Sequence, residues 1–453
     1  MKILIIIFFC AFANMLNAQA RMTPALRQRL EGKTDFYEIQ QEVLDYFSTE
    51  RAKLSPTDSL GRRFLNRQAK FWNRWLYDGE SRLEPDGTIA NWSKRMYEFE
   101  INASVHSGQQ DRAANSSWSL IGPTTVDVED GIGRVLRLGF HPTNSQIIYA
   151  GTAHGGLWRT QNAGASWSNI AAYLPSLGIS GIEVNQDDPT TIYVLSGEGD
   201  AWLSGGFTFN YGYVSYSNGV FKSTDNGANW TKTAEFEPGI NDESYVGFQM
   251  RQDPNNSNTY VVATSEGAFR TTNGGGSWTK PFFIDLDGLV IPTSTHNICC
   301  FDIEFKPGSS STIYAGCRIK TLSSNFIRFA FFRSINSGSS FTEIDLSSDI
   351  DVSELIRFEI GVTPANSNNV YLLCGPGYVE DGDGSNDTFL GFLKSTNSGA
   401  SFTNLATEPD VFAYNPTIGF TLGNQCFYDM ALAISPTNTN YIFTGGLVVF
   451  RST

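Results

Sequence analysis

The sequence predicts an all-β protein, a β-propeller of four-stranded blades preceded by a small helical segment. Three observations favour this fold: a turn motif that recurs five times, apolar β-rich runs before each copy, and a composition with 43 glycines and 13% aromatic residues. Many short strands joined by tight turns use glycine and aromatic side chains more than long helices do. A length of 453 residues allows about three ordinary domains, so the repeats must decide the count.

Charge and hydropathy narrow the classes of partner. The net charge of −14 argues against a nucleic acid bound through its phosphates. After residue 20, no stretch approaches the ~20 apolar residues that span a bilayer. We therefore expect neither a nucleic-acid partner nor a membrane span.

The first twenty residues have the pattern of a secretory signal peptide. Lys2 precedes the apolar run 3–13, and Ala18-Gln19-Ala20 fits the cleavage site. Cys10 follows large apolar residues where a lipoprotein anchor needs small ones, which disfavours lipidation. The mature chain is predicted to be secreted or displayed at the cell surface.

Five cysteines remain after the signal peptide, an odd number, so at least one stays unpaired. A bridge between Cys317 and either Cys299 or Cys300 is the most plausible, because their strands should be neighbours.

Residues 21–110 read as a small helical segment. Phe36, Ile39, Val43 and Phe47 recur at helical spacing, and Asp35 with Glu38 forms a capping-box pattern. A second helix is predicted from its aromatic and leucine stripe, which ends near Asp78-Gly79: Phe64, Phe71, Trp72, Trp75 and Leu76.

The remaining chain, 111–453, repeats the motif [S/T]-x-[D/N]-x-G-x-x-[W/F]. Its glycines lie 63, 48, 63 and 61 residues apart. An Asx side chain tightens the turn, glycine supplies positive φ, and the aromatic residue anchors the returning strand. We call these turns the five corners and predict a structural role for them: Asn162, Gly164 and Trp167; Asp225, Gly227 and Trp230; Asn273, Gly275 and Trp278; Asn336, Gly338 and Phe341; Asn397, Gly399 and Phe402.

A second element precedes each corner. An apolar strand A ends at a turn, often with proline, and a β-rich strand B follows, as in the segments around Pro142, Pro307 and Pro436. Each unit thus offers strands A, B and C, a corner and strand D, which is the blade of a propeller. Six units are recognisable, and the last is incomplete.

The corners resemble the Asp-box (BNR) repeats of sialidases, sortilin-type VPS10 propellers and xyloglucanase-type glycoside hydrolases. The resemblance covers residues 117–453. The N-terminal segment also looks like that of large secreted Bacteroidota proteins carrying such propellers, which implies export through a type IX system. Asp-boxes mark a fold and say little about chemistry.

The sixth unit stops at Arg451-Ser452-Thr453, before its corner. One interpretation is a truncated chain whose intact form has seven or more blades and further domains. The alternative is a six-bladed ring closed by residues 117–122, where Trp118 matches the aromatic position of a strand D.

Loop lengths vary on one face of the predicted ring. Short A–B turns and corners share one end, while B–C and D–A loops share the other, which we call the loop-rich face. Variable loops on a rigid scaffold usually carry binding or catalysis. Ligand-contacting residues are predicted there from an aromatic, glycine-rich loop and two carboxylates: Trp202, Phe209, Tyr211, Tyr213, Tyr216, Glu198 and Asp200.

A calcium loop is a further possibility on the same face. Asp381, Asp383, Ser385 and Asp387 place oxygen ligands at alternate positions, as calcium loops do. The alternative is a solvated acidic turn, because the glutamate of an EF-hand is absent. No other cofactor is expected.

The first blade bears on catalysis. The xyloglucanase-type family carries its catalytic aspartate in a strand B motif resembling T-D-x-G-G-x-[Y/W]-R, and this sequence reads Thr152-Ala153-His154-Gly155-Gly156-Leu157-Trp158-Arg159. Ala153 can neither transfer a proton nor stabilise charge. The prediction is therefore a sortilin-like, non-catalytic propeller that binds an extracellular glycan or peptide. A glycoside hydrolase using other carboxylates, or a spacer within a surface adhesin, are the alternatives.

Overall fold

In the computed structural model, a helical unit and a β-sheet unit divide the part of the chain that is described. The structure describes residues 24–30, 33, 35–55, 58, 61–62, 65, 69, 72, 83, 87, 134–171, 174, 176, 178–200, 215–234, 245–324, 326–376, 389–406, 414–415, 420–421, 426, 430–445 and 449–452. The predicted boundaries at residues 20 and 110 lie outside these ranges and stay predictions.

The helical unit contains helices α1 (Pro24–Leu30) and α2 (Phe36–Lys53). The Asp35 side chain caps α2 by accepting a hydrogen bond from the backbone N–H of Glu38 at 2.9 Å, which confirms the predicted helix start. The Glu38 carboxylate accepts a hydrogen bond from Lys33. The predicted apolar stripe, together with Trp72, packs into one core with α1.

Among the described residues, the β-sheet unit contains six blade sheets and a separate two-stranded pair. The strands of each blade pair in chain order, apart from one extra edge strand in the fourth. The first is β1 (Val135–Phe140), β2 (Ile148–Thr152), β3 (Leu157–Thr160) and β4 (Ser168–Asn169). The second is β5 (Ile179–Val184), β6 (Ile192–Ser196), β7 (Val220–Ser223) and β8 (Thr231–Ala234). The third is β9 (Gly247–Asp253), β10 (Asn256–Thr264) and β11 (Gly267–Thr271), and Thr279 bridges β11 where a fourth strand would run.

The fourth sheet is the widest because an extra strand joins its outer edge. It holds β13 (His296–Phe305), β14 (Ile313–Thr321), β15 (Ile327–Ser334) and β16 (Ser340–Ile344), with β12 (Phe282–Ile284) parallel to β16. The fifth is β17 (Leu355–Val362), β18 (Val370–Pro376), β19 (Gly391–Ser395) and β20 (Thr403–Ala406). The short pair β21 (Tyr414–Asn415) and β22 (Phe420–Thr421) precedes the sixth sheet, which is β23 (Ala431–Ile434), β24 (Ile442–Gly445) and β25 (Val449–Arg451).

The sheets are arranged as blades of a propeller. The first strand of each sheet packs against the first strand of the next, so that β1 contacts β5, β5 contacts β9, β9 contacts β13, β13 contacts β17, and β17 contacts β23. These innermost strands surround the propeller axis. The predicted fold class, a β-propeller with six recognisable units, is confirmed.

A layer of tyrosines on the second strands fills the space between blades. Each is at most 1% exposed: Tyr149, Tyr193, Tyr260, Tyr314 and Tyr371. The Tyr193 hydroxyl donates to the carbonyl of Gly274 at 2.9 Å, which joins the second blade to the corner of the third. Burial of these rings supplies apolar contact area between the blades.

The five cysteines of the β-sheet unit are all buried. Cys300 and Cys317 lie directly opposite each other on β13 and β14, and their Sγ atoms are 2.7 Å apart. The expected adjacency of these strands is confirmed. Cys299 instead lies opposite Arg318, so the register brings Cys300 and not Cys299 to Cys317. The expected bridge is absent from this structure and stays a prediction for the oxidised protein.

Candidate functional site

The corners share one hydrogen-bond pattern. The first side chain, a Ser or Thr that is at most 1% exposed, donates its hydroxyl to the Asx Oδ1 at 2.8–2.9 Å. The same hydroxyl oxygen accepts the glycine N–H at 2.8–3.0 Å. The Asx Oδ1 also accepts the backbone N–H four residues later. These side chains satisfy the turn backbone, so they are engaged within the turn.

Each corner contains two residues with positive φ, one more than the motif predicted. The glycines have φ of 74–95°, and the residue before each glycine also has positive φ: Ala163, Asn226, Gly274, Ser337 and Ser398. Among these residues only asparagine and glycine adopt this region readily, so Ala163, Ser337 and Ser398 are held there against their backbone preference. The motif does not indicate this strain at Ala163 or at the serines.

The aromatic side chains of the corners differ in how deeply they are buried against neighbouring residues. Phe341 and Phe402 are buried, and the Trp230 indole donates to the carbonyl of Ile170 in the preceding blade at 3.1 Å. Trp167 is 40% exposed. The later corners therefore connect neighbouring blades more tightly than the first one does.

The predicted ligand-contacting residues fall into two groups. Trp202, Phe209, Tyr211 and Tyr213 lie outside the described residues, as do the calcium candidates Asp381, Asp383, Ser385 and Asp387, and their roles stay predictions. The structure describes Tyr216, Glu198 and Asp200. The Tyr216 side chain is only 6% exposed, so it offers little ring surface to a ligand, and its carbonyl accepts the Ser176 hydroxyl at 2.7 Å.

Glu198 and Asp200 are buried near the propeller axis, where each forms an ion pair with an arginine. Glu198 is fully buried and pairs with Arg134 at the start of β1. Asp200 pairs with Arg357 of β17, with Oδ1 and Nη2 2.9 Å apart, and Arg357 also pairs with Glu359 at 2.7 Å. The second and fifth blades are thus joined across the axis. Burial raises the pKa of Asp200, but the guanidinium groups of Arg357, Arg137 and Arg134 outweigh it and hold the pKa below its ordinary value.

Asp302 of β13 is a contrasting buried carboxyl. Its Oδ2 accepts the backbone N–H of Ile360 at 2.6 Å, while its Oδ1 has no hydrogen-bond partner. Burial, with the nearby charges of Glu359 and Glu304, holds the pKa of Asp302 well above its ordinary value. The two buried carboxyls thus differ in environment, which raises the pKa of Asp302 and lowers that of Asp200.

A second ionic cluster connects the second, third and fourth blades. Arg251 of β9 donates to Glu304 at 2.7 Å and lies 3.6 Å from Glu183 of β5, and Gln249 also donates to Glu304 at 2.8 Å. Burial raises the pKa of Glu183 to about 7, although Arg251 opposes the shift. The sequence analysis did not identify these buried ionic groups. Each is nevertheless marked by a charged residue within the otherwise apolar first strand of a blade: Arg137, Glu183, Arg251, Asp302 and Arg357.

Glu183→Gln is expected to stabilise the protein at high pH and to leave it nearly unchanged at low pH. Because the folded-state pKa lies above the unfolded one, the favourable contribution is present below about pH 4.5 and is lost as the pH rises through 7. Urea unfolding should show a gain of about 1–3 kcal/mol at pH 8 and a much smaller one at pH 5. The exposed Asp287→Asn is the control, and an equal effect of Glu183→Gln at both pH values would contradict the assignment.

The first blade presents the segment 152–159 at the loop-rich face. The Thr152 hydroxyl accepts the Gly155 N–H at 2.7 Å, and the Trp158 indole donates to the Gly155 carbonyl at 2.9 Å. Ala153, the position that the resemblance gives to a catalytic aspartate, is 5% exposed, and its carbonyl accepts the Ser215 hydroxyl at 2.8 Å. His154 Nδ1 lies 2.7 Å from the same hydroxyl. The local fold of the motif is thus held by its own hydrogen bonds.

The described part of the chain has neither a cluster of metal-ligating side chains nor a membrane-spanning helix. No three His, Cys, Asp or Glu side chains in it are close enough together to hold a metal ion. None of its helices is long and apolar enough to cross a membrane.

Comparisons with known proteins concern a part of this chain. No family model matches it. A curated xyloglucanase of Paenibacillus sp is 32% identical over 106 residues, which cover 21% of this chain and 10% of that protein. This chain therefore spans a small fraction of its curated relative.

Several solved structures are similar at low identity. An ancestral GH74 enzyme has a TM-score of 0.48 at 17% identity, with 70% of this chain and 39% of that chain covered. The GH74 xyloglucanase from Xanthomonas campestris has a TM-score of 0.46 at 17% identity, covering 71% and 44%. PorZ, a surface component of the type IX secretion system of Porphyromonas gingivalis, has a TM-score of 0.39 at 10% identity, covering 70% and 38%.

Proposed function

We propose that this chain is an exported β-propeller that binds an extracellular glycan or peptide through its loop-rich face without hydrolysing it. The observation that supports it most is the state of the two described carboxylates predicted for that face. Glu198 and Asp200 are engaged by Arg134 and Arg357, and they hold blades together across the axis. A carboxylate fixed in a buried ion pair is poorly placed to exchange protons with a substrate.

The first blade favours the same function. Alanine stands at position 153, where a xyloglucanase-type enzyme would have its catalytic aspartate, and the surrounding motif keeps its fold. The stretch of identity to a curated xyloglucanase makes a glycan a reasonable ligand class. A propeller that keeps the fold of this motif but lacks the catalytic aspartate fits ligand recognition better than bond cleavage.

A glycan array and a peptide panel test this proposal. We expect a ligand whose affinity falls at least tenfold in Tyr211→Ala with Tyr213→Ala, because a stacked ring contributes about 1 kcal/mol or more. Tyr441→Ala, which removes a 47% exposed tyrosine from the sixth blade region, is the matched control and should bind normally.

The second candidate function is a glycoside hydrolase that uses carboxylates elsewhere on the loop-rich face. Reducing-sugar release from a β-glucan panel distinguishes the two. Release by the wild-type chain that one Asp or Glu substitution abolishes would replace binding by hydrolysis. Absence of any ligand in both assays would favour a spacer.

A further inference from the structure

A hairpin between the third and fourth blades displays apolar side chains on both of its sides. It runs over residues 282–291 and begins with β12, which pairs with β16. The backbone N–H of Ile291 donates to the carbonyl of Phe283 at 2.8 Å, and the N–H of Asp285 donates to the carbonyl of Leu289 at 2.9 Å. The Asp285 side chain accepts the Leu289 N–H at 2.8 Å, so the tip is also closed. We call this segment the 282–291 hairpin.

The inner side of the hairpin is firmly packed. Phe283 is 2% exposed, and its ring lies edge-on to Phe332 at 5.1 Å and stacks on Phe341 at 5.3 Å. Ile291 is buried beside it. Such packing fixes the hairpin on the fourth blade, so its outer side is presented in a defined orientation.

The outer side is apolar and faces solvent. Phe282, Leu286, Leu289 and Val290 are between 52% and 65% exposed. Two clefts flank them. One of about 400 Å³ is lined by Phe282, Val290, Pro292 and Ile298, and one of about 350 Å³ is lined by Leu286, Phe329, Leu346 and Val352. Contiguous apolar surface of this kind on an otherwise acidic chain is typical of a protein-docking site.

The charge around the second cleft indicates which kind of partner would bind there. Asp285, Asp287 and Asp345 line it, and Asp349 and Asp351 lie on the adjoining loop. Hydrogen bonds from Ser347 and Ser353 keep the pKa of Asp345 and Asp351 low, so both stay ionised. The Arg328 guanidinium at this cleft is paired with Glu343. The rim of the second cleft therefore presents negative charge beside apolar surface, whereas Lys280 lines the first cleft.

We propose that the 282–291 hairpin and its two clefts dock a segment of a partner protein that carries apolar side chains flanked by Lys or Arg. A second copy of this chain would bring two acidic rims together in a two-fold interface, which charge repulsion disfavours. A glycan is disfavoured because three of the four exposed side chains are aliphatic, whereas sugars stack on aromatic rings. The hairpin is a D–A loop of the loop-rich face, but none of its residues is among those assigned to the proposed function, so variants of the two sites test the two proposals separately.

Fluorescence polarisation with synthetic labelled peptides tests this docking surface. The probe is a ten-residue peptide of alternating Leu or Phe and Lys, compared with two matched peptides in which Glu replaces Lys or Ser replaces the apolar residues. We expect the Lys peptide to bind and the other two to bind at least tenfold more weakly. Added salt should weaken the binding of the Lys peptide.

Leu286→Ser with Leu289→Ser should weaken binding of the Lys peptide at least tenfold, because the double substitution removes the two apolar side chains at the tip of the hairpin. Both side chains are exposed, so the melting temperature should not change. The matched control, Leu138→Ser with Val449→Ser, removes two exposed apolar side chains, 54% and 77% exposed, from the first and sixth blades. Equal binding by both double variants would overturn the proposal. So would a dimer, seen by analytical ultracentrifugation, that only the hairpin variant abolishes.

Discussion

Arg357→Met is expected to lower the free energy of unfolding by about 3–5 kcal/mol, the loss typical when one partner of a buried ion pair is removed. Arg357 is 1% exposed and is the cation shared by Asp200 and Glu359. Methionine keeps most of the volume, so the effect isolates the charge. Urea unfolding at pH 7 measures it.

A compensating variant distinguishes charge from packing at this position. Adding Asp200→Asn and Glu359→Gln to Arg357→Met removes the stranded carboxylates, and at least half of the lost stability should return. A loss below about 1 kcal/mol for Arg357→Met would mean that the axis does not depend on this pair. Failure of the triple variant to recover would assign the loss to packing instead.

Gly399→Ala is expected to destabilise the protein by about 2–4 kcal/mol, more than the equivalent change at Gly164. Both glycines occupy the same corner position with positive φ, which costs an L-residue about 1–2 kcal/mol. A Cβ at Gly399 would also lie 2.9 Å from Cε1 of the buried Tyr314, whereas a Cβ at Gly164 meets nothing within 4 Å. The overpacking adds about 1–2 kcal/mol at Gly399 alone.

Thermal or urea unfolding of the two alanine variants compares the corners directly. Gly164→Ala measures the backbone term, and the difference between the variants measures the contact with the neighbouring blade. Equal losses would contradict the inference that the corner of the fifth blade packs on Tyr314. A larger loss at Gly164 would contradict it more strongly.

The corner end and the loop end of the blades have different roles. The corners hold neighbouring blades together at one end of the propeller, and the ionic groups of the first strands do so around the axis. Loops at the opposite end are left free to vary, which is where the proposed ligand binds. Rigid support of this kind is what a recognition surface on loops requires.

By itself the sequence determined the blades. The spacing of hydroxyl, Asx, glycine and aromatic residues is a local property, because each corner satisfies its own backbone within eight residues, and so Asn162 or Asn336 could be assigned from the motif alone. The start of α2 at Asp35 is local for the same reason.

Only the tertiary structure decided what the charged residues do. Asp200 and Arg357 are 157 positions apart, and nothing in either neighbourhood indicates that the ring brings their side chains to 2.9 Å. The sequence placed Glu198 and Asp200 on an accessible face, whereas closure of the blades around the axis buries them against arginines. The exposed side of the 282–291 hairpin could not be predicted from the sequence for a related reason. Alternation along a strand indicates two faces, but which face stays in water depends on pairing with β16, more than fifty residues further along the chain.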